Sequence, residues 1–169
     1  MAISAYLRDL RTRVGTRLLL VPSAAAIVRD AGGRILVQRR SDNGAWSLPA
    51  GAVGPGEAPA QAAVREVWEE TGLVVTPTAL LGVYGGEGFR TRYPNGDEVE
   101  YTVAVFACRP VDGRTPRPND DESTAVAWAP PDAMPPLGLP YPPELFTHQG
   151  AAAMFDWRPE WQIGPERPV

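Results

Sequence analysis

The chain has 169 residues, of which 44% are hydrophobic and 21% charged, and a net charge of -4. That length suits one domain with its own core. With the mild acidic balance and no long basic run, non-specific nucleic-acid or membrane-surface binding is not expected as the main role. A single cysteine, Cys108, rules out an intrachain disulfide and any zinc site that needs several thiolates. Cys108 sits in an alternating apolar run and reads as a buried, inert thiol. Lysine is absent, which together with abundant Ala, Pro and Gly points to a GC-rich genome.

Ile3, Leu7, Leu10 and Val14 form a helical stripe, so residues 1–17 are expected to hold an amphipathic helix. Four arginines precede "LLLVPSAAAIV", a superficial likeness to a signal peptide. The apolar run is too short to span a membrane, Pro22 interrupts it, and a strand pattern follows directly. The expectation is a cytoplasmic protein with no membrane partner. Leu18–Arg29 and Arg34–Arg40, separated by "DAGG", read as a β-hairpin. "SDNGAWSLPAGAVGPGE" reads as a loop dense in Gly and Pro. Pro59 opens a helix that runs to about Thr71, with Gly72 as its stop. Leu73–Tyr84 reads as a strand, and Arg92–Arg109 as a hairpin turning at Asn95-Gly96. "NDDES" is a loop, "TAVAWAP" a short strand, and one more helix is expected from about Pro143 to Asp156. The main domain is placed at residues 18–157 and a C-terminal tail at 158–169. Mixed strands and helices imply an α/β fold, a mixed sheet sandwiched between helices.

The stretch "REVWEETG" concentrates charge. At about 100° per residue, Glu66, Glu69 and Glu70 share one sector of the helix, apart from the apolar stripe of Ala60, Ala63, Val64, Val67 and Thr71. Like charges so close raise one another's pKa and weaken the helix unless a cation joins them. A hard divalent ion suits such a site, since Mg²⁺ takes one or two carboxylates plus substrate phosphates. The glycine-rich loop upstream lets backbone approach a ligand closely.

The spacing from Gly51 through Glu57 to Arg65-Glu66-Val67-Trp68-Glu69-Glu70-Thr71-Gly72-Leu73 resembles the Nudix box, G-x5-E-x7-R-E-U-x-E-E-x-G-U, with every specified position filled. The order of hairpin, "W-x-L-P-A-G" loop, box, long strands and late acidic loop is similar to that of Nudix hydrolases from Leu18 to Pro131. The resemblance implies the Nudix fold. It also implies Mg²⁺-dependent hydrolysis (Mn²⁺ as substitute) of the pyrophosphate linkage in a nucleoside diphosphate joined to another moiety. On the matching positions Glu66, Glu69 and Glu70 are metal-facing carboxylates, and Glu66 is either ligand or general base. Arg65 and Glu57 hold loop and helix together, Gly51 and Gly72 frame the box, and Ala50 offers its carbonyl to metal. A further acid is expected from Asp120, Asp121 or Glu122, with Glu122 favoured by its spacing to Trp128.

Outside the box, Arg39 and Arg40 are candidates for phosphate, and Phe89, Arg90 and Arg92 for a base. Simple surface and cross-strand roles are the alternative. Trp46 reads as packing and His148 as structural. The proline, tyrosine and tryptophan–proline signatures of ADP-ribose, diadenosine polyphosphate and NADH pyrophosphatases do not occur, so only a small-molecule nucleotide is expected as substrate. A Nudix protein that binds nucleotides without cutting them is the alternative reading. The first helix or the tail is a candidate homodimer interface.

Overall fold

The structure is a computed structural model that describes residues 4–111, 113–147 and the backbone of 154–155. It begins with α1 (Ala5–Val14), whose Ser4 Oγ accepts the Leu7 N–H at 3.2 Å. A side-chain acceptor at this position satisfies one of the free amides that start any helix. Leu7, Leu10 and Val14 form its half-buried face, as the stripe predicts, while Ile3 lies outside the described residues.

The strands form two sheets. β1 (Leu19–Val28) lies centrally in the larger one, antiparallel to β4 (Ala50–Ala52) and parallel to β7 (Glu98–Pro110). β5 (Val75–Tyr84) and β6 (Arg90–Arg92) both pair antiparallel with β7, and β9 (Met154–Phe155) runs parallel to β5. The smaller sheet holds β2 (Ile35–Arg40) between β3 (Trp46–Ser47) and β8 (Ser123–Ala129). The near-unbroken apolar run of β1 follows from its place. Ala24, Ala26 and Val28 face α2 (Pro59–Thr71), while Val21, Ala25 and Ile27 pack on the opposite side with Leu145 and Phe146 of α3 (Glu144–Thr147). A strand covered on both faces does not alternate. The larger sheet is therefore the filling of the expected α/β sandwich. Cys108 lies in the α2-side core, and burial pushes its thiol up to about 12.

Three expectations change. β1 and β2 do not form a hairpin. Only Arg29 and Ile35 bridge, and the two strands then join different sheets. The "DAGG" turn is real, with Asp30 Oδ1 accepting the N–H groups of Gly32 and Arg34 at 3.0 and 2.8 Å, but it carries the chain from the larger sheet to the smaller one. The Gly/Pro-rich loop contains the short strands β3 and β4. The late helix spans only Glu144–Thr147 among the described residues, and Met154–Phe155 is strand. His148 and the tail at 158–169 lie outside the described residues.

Candidate active site

Helix α2 carries the charge cluster, and its ends are fixed locally. The Ala58 N–H donates to Gln61 Oε1 at 2.9 Å. Gly72 takes the left-handed conformation, φ 69°, and its N–H closes on the Trp68 carbonyl at 2.9 Å. A residue with a Cβ is strained there, so glycine makes the stop. Ala62, Ala63, Val67 and Thr71 are buried against the core, whereas Ala60 and Val64 of the expected stripe are only half-buried.

Arg65 organises one side of the cluster. Its Nε and Nη2 donate to Glu57 Oε1 and Oε2 at 2.8 and 3.0 Å, and Nη2 also donates to the Ala52 carbonyl at 3.0 Å. Nη1 donates to Glu66 Oε1 at 2.6 Å and Glu69 Oε2 at 2.9 Å. Every N–H of the guanidinium fork is thereby used. Glu57 Oε2 further accepts the Gly54 N–H at 3.0 Å, which pins the glycine-rich loop to the helix. The Arg65 hydrogen bonds hold Glu57 below the ordinary carboxylate range, and Glu57 in turn raises Arg65.

Glu70 is treated differently. It is 1% exposed, with Oε1 accepting from Gln38 Nε2 at 3.0 Å and Oε2 from the Ala50 N–H at 3.1 Å. Both donors are neutral. Burial lifts its pKa well above the ordinary value, and the charges of Glu66, Glu122 and Asp120 lift it further against the Ala50 bond. Glu66 is also buried. Desolvation raises it to about 7 despite Arg65, with Glu69 and Glu122 adding to the rise. Glu69 is exposed. Two of the three carboxylates thus sit inside the protein, and part of their repulsion is already met by Arg65. Gly51 is what admits Glu66, since an ideal Cβ there would lie 1.9 Å from Glu66 Oε1.

In the late loop, Asp120 Oδ1 accepts the N–H groups of Glu122 and Ser123 at 3.0 and 3.2 Å and so shapes the turn. Burial raises the Asp120 pKa, and the neighbouring Glu122 and Glu69 charges add to the rise. Asp121 is exposed and Glu122 half-buried, close enough for its charge to act on Glu66 and Glu70.

The candidates outside the helix divide. Arg40 borders a recess beside Ala50, together with Ser23, Ser47, Tyr93 and Tyr101, and forks onto Asp42. Arg39 is exposed, donating to the Gly44 carbonyl at 3.0 Å. Phe89 corrects the expectation of a base platform. It is 6% exposed and packs with Tyr84 and Tyr141 in the core. Arg90 and Arg92 pair across the hairpin with Glu100 and Glu98 at 2.8 and 3.7 Å, the cross-strand role. Trp46 is half-buried in β3.

Sequence reasoning missed Gln38, Ser123 and Ser23. Gln38 is 1% exposed and joins Glu70 to Ser123, whose Oγ donates to Gln38 Oε1 at 3.0 Å. Ser23 Oγ donates to the Gly51 carbonyl at 2.7 Å. The available signal was a glutamine at an inward position of an apolar strand, because a fully buried amide needs partners.

Among the described residues, no three Asp, Glu, His or Cys side chains converge tightly enough to hold a metal ion, and Arg65 stands between Glu66 and Glu69. The donor chemistry nevertheless fits a hard divalent cation. It is all oxygen, and in Glu70 it includes a desolvated carboxylate whose hydrogen-bond donors are neutral.

Residues 19–149 match the NUDIX domain family model. The chain belongs to the Nudix family. Among its Nudix relatives is a MutT-like protein of Streptomyces ambofaciens, 42% identical over 112 residues, covering 65% of this chain and 64% of that one. A putative 8-oxo-dGTP diphosphatase of Bacillus subtilis is 46% identical over 61 residues, covering 36% of this chain and 41% of that one. The chain spans less than two thirds of the length of either relative. Among solved structures, an ADP-ribose pyrophosphatase from Streptococcus suis superposes with a TM-score of 0.62 at 24% identity, over 80% of this chain and 98% of that one, a likeness of Nudix fold alone. Among the described residues no helix is long and apolar enough to cross a membrane.

Proposed function

We propose that this chain hydrolyses a pyrophosphate linkage in a nucleotide derivative, water attacking phosphorus with the help of Mg²⁺. The observation that carries the reading is the pair of buried carboxylates, Glu66 and Glu70, on one helix beside the Ala50–Ala52 strand. Buried carboxylates in proximity hold either protons or cations. Glu66, Glu69 and Glu70, the Ala50 carbonyl and Glu122 would hold the metal. Bound there, it would neutralise phosphate charge and lower the pKa of a water.

The protein's own part is orientation and proton transfer. Arg65 and Glu57 lock the loop against the helix, which fixes the side chains that must face the phosphates. Gln38 and the Ala50 amide set the plane of the Glu70 carboxylate. Glu66 and Glu122 are the candidates for taking the proton of the attacking water, as a base within the cluster must. Arg40, beside the Ala50 recess, supplies a cation for phosphate. The named activity of the Bacillus relative directs the search to purine nucleoside triphosphates, with ADP-ribose and dinucleotides as further candidates.

The test is release of phosphate, pyrophosphate or nucleoside monophosphate from such a panel with Mg²⁺ or Mn²⁺. Turnover is expected for wild type and a loss of at least about a hundredfold for Glu69→Gln and Glu70→Gln. Equal turnover in wild type and both variants would overturn the site. Binding without turnover of any member would favour the non-hydrolytic reading.

A further inference from the structure

Beyond the Ala50 recess lies a second cavity, of about 360 Å³, bordered by Leu7, Arg11, Leu19, Asp42, Asp97 and Val99 among others. Tyr93 and Tyr101 border both spaces, their hydroxyls joined at 2.7 Å, so the two adjoin across this pair. The recess reaches the carboxylates through Ala50, whose N–H serves Glu70. The far wall is α1, which precedes the family-matching segment. This wall is anchored firmly. Arg11 Nη1 donates to the Gly15 and Arg17 carbonyls at 3.0 and 2.6 Å, Nη2 to the Glu98 carbonyl at 2.7 Å, and Nε lies 3.5 Å from Asp97 Oδ2.

We infer that this cavity between α1 and the β6–β7 hairpin is a base subsite, which takes a purine with a guanine-type donor edge and reads that edge with Asp97. The inference rests on the hydrolase reading only for what is attached to the base.

Three observations carry it. Leu7, Leu19, Val99 and the tyrosine rings offer apolar and aromatic surface to a flat heterocycle. The acidic groups on the wall are carboxylates, which accept hydrogen bonds and repel phosphate, so the phosphates belong at the Arg40 end. Both oxygens of Asp42 already accept from the fork of Arg40. Asp97 Oδ2 accepts from Asn95 Nδ2 at 3.0 Å and faces Arg11, whereas Oδ1 has no hydrogen bond among the described residues. Asp97 therefore has acceptor capacity left on a side chain only 17% exposed.

The donor pattern then selects the base. A carboxylate pairs best with two adjacent N–H donors. Guanine presents N1–H beside N2–H₂. Adenine and cytosine present one amino group beside an acceptor, and uracil one N–H between two carbonyls. Hypoxanthine keeps N1–H but lacks the amino group, so it isolates the second bond.

The experiment is calorimetric binding of GMP, IMP and AMP, without divalent metal, to wild type, Asp97→Asn, Leu7→Trp and Glu69→Gln. The order GMP, then IMP, then AMP is expected, with GMP favoured over AMP by about tenfold or more. Asp97→Asn removes the preference while AMP changes little. Leu7→Trp fills the cavity from α1, leaves the carboxylates alone and weakens GMP by a similar factor, so the inference does not hang on one variant's folding, which circular dichroism checks. Glu69→Gln keeps the preference and abolishes only turnover. Equal affinity for the three nucleotides in wild type, absence of binding, or an unchanged preference in Asp97→Asn together with unchanged GMP affinity in Leu7→Trp overturns the subsite. Preference for GMP in a wild-type protein that turns over no member of the nucleotide panel leaves the subsite standing and removes the hydrolase reading instead.

Discussion

Gly51→Ala tests whether the box glycine exists to make room for a carboxylate. The ideal Cβ at this position lies 1.9 Å from Glu66 Oε1, 2.2 Å from its Cδ and 2.6 Å from Oε2. Reaching ordinary contact of about 3.5 Å requires the carboxylate to retreat by roughly 1.5 Å. It cannot do so and keep the 2.6 Å bond from Arg65 Nη1. Overpacking and the lost charge-assisted bond together predict about 1–3 kcal/mol of destabilisation, or roughly 2–12 °C in melting temperature for a chain of this size. Displacing a reacting-site group by an ångström or more predicts a fall in turnover of about a hundredfold. Thermal melting and steady-state kinetics measure the two effects. Gly54→Ala is the control, because its Cβ would meet Glu57 Oε2 at 3.5 Å, an ordinary contact, and it is expected to be nearly neutral. In a Glu66→Ala background Gly51→Ala should cost little stability, since nothing remains to collide with. Wild-type melting and turnover in Gly51→Ala, or equal destabilisation in the Glu66→Ala background, would refute the reasoning.

Two further outcomes follow from the buried acids. Glu66 and Glu70 both have pKa values raised by folding, so the stability tied to their protonation is complete below about 4.5 and is lost as pH rises through about 7, the Glu66 value. In a chelator the melting temperature should therefore fall from pH 5 to pH 8, and Mg²⁺ should restore it at pH 8; a flat profile, or one that Mg²⁺ leaves unchanged, would count against the buried pair. Gln38→Leu strips one donor from Glu70 and the acceptor from Ser123 Oγ. It should destabilise by about 1–3 kcal/mol per buried orphan and lower turnover, and wild-type values for both would show that the amide orients nothing.

The sequence was most legible where local rules and spacing agree. Helix α2 starts and stops where Pro59 and Gly72 place it, because a fixed φ and a left-handed stop act locally. Arg65 hydrogen-bonds Glu57, eight residues before it, close enough in the chain for spacing to suggest the pair. Less legible were features that depend on partners distant in the chain. The apolar stretches before and after "DAGG" have hairpin chemistry, yet one is a central strand with neighbours at Ala50–Ala52 and Glu98–Pro110, and the other pairs with Ser123–Ala129. Phe89 reads as a candidate for a base beside Arg90 and Arg92, but Tyr84 and Tyr141 bury it. Gln38 belongs to the same class, since only the fold brings Glu70 and Ser123 to its two ends.

That last connection has a mechanical side. β1 and β4 belong to one sheet and β2 and β8 to the other, and Glu70 touches both, through the Ala50 amide and through Gln38. The carboxylate is thus a rivet driven through two separately hydrogen-bonded plates. Sliding one plate against the other would turn the Glu70 carboxylate while leaving the pairings within each plate intact, with the Arg29–Ile35 bridge as the one strand pairing between them among the described residues. The reactive geometry is therefore a more sensitive gauge of how the sheets sit together than the fold's own stability. Substitutions far from the helix that alter the fit of the plates would register first as lost chemistry in a protein that still melts as one.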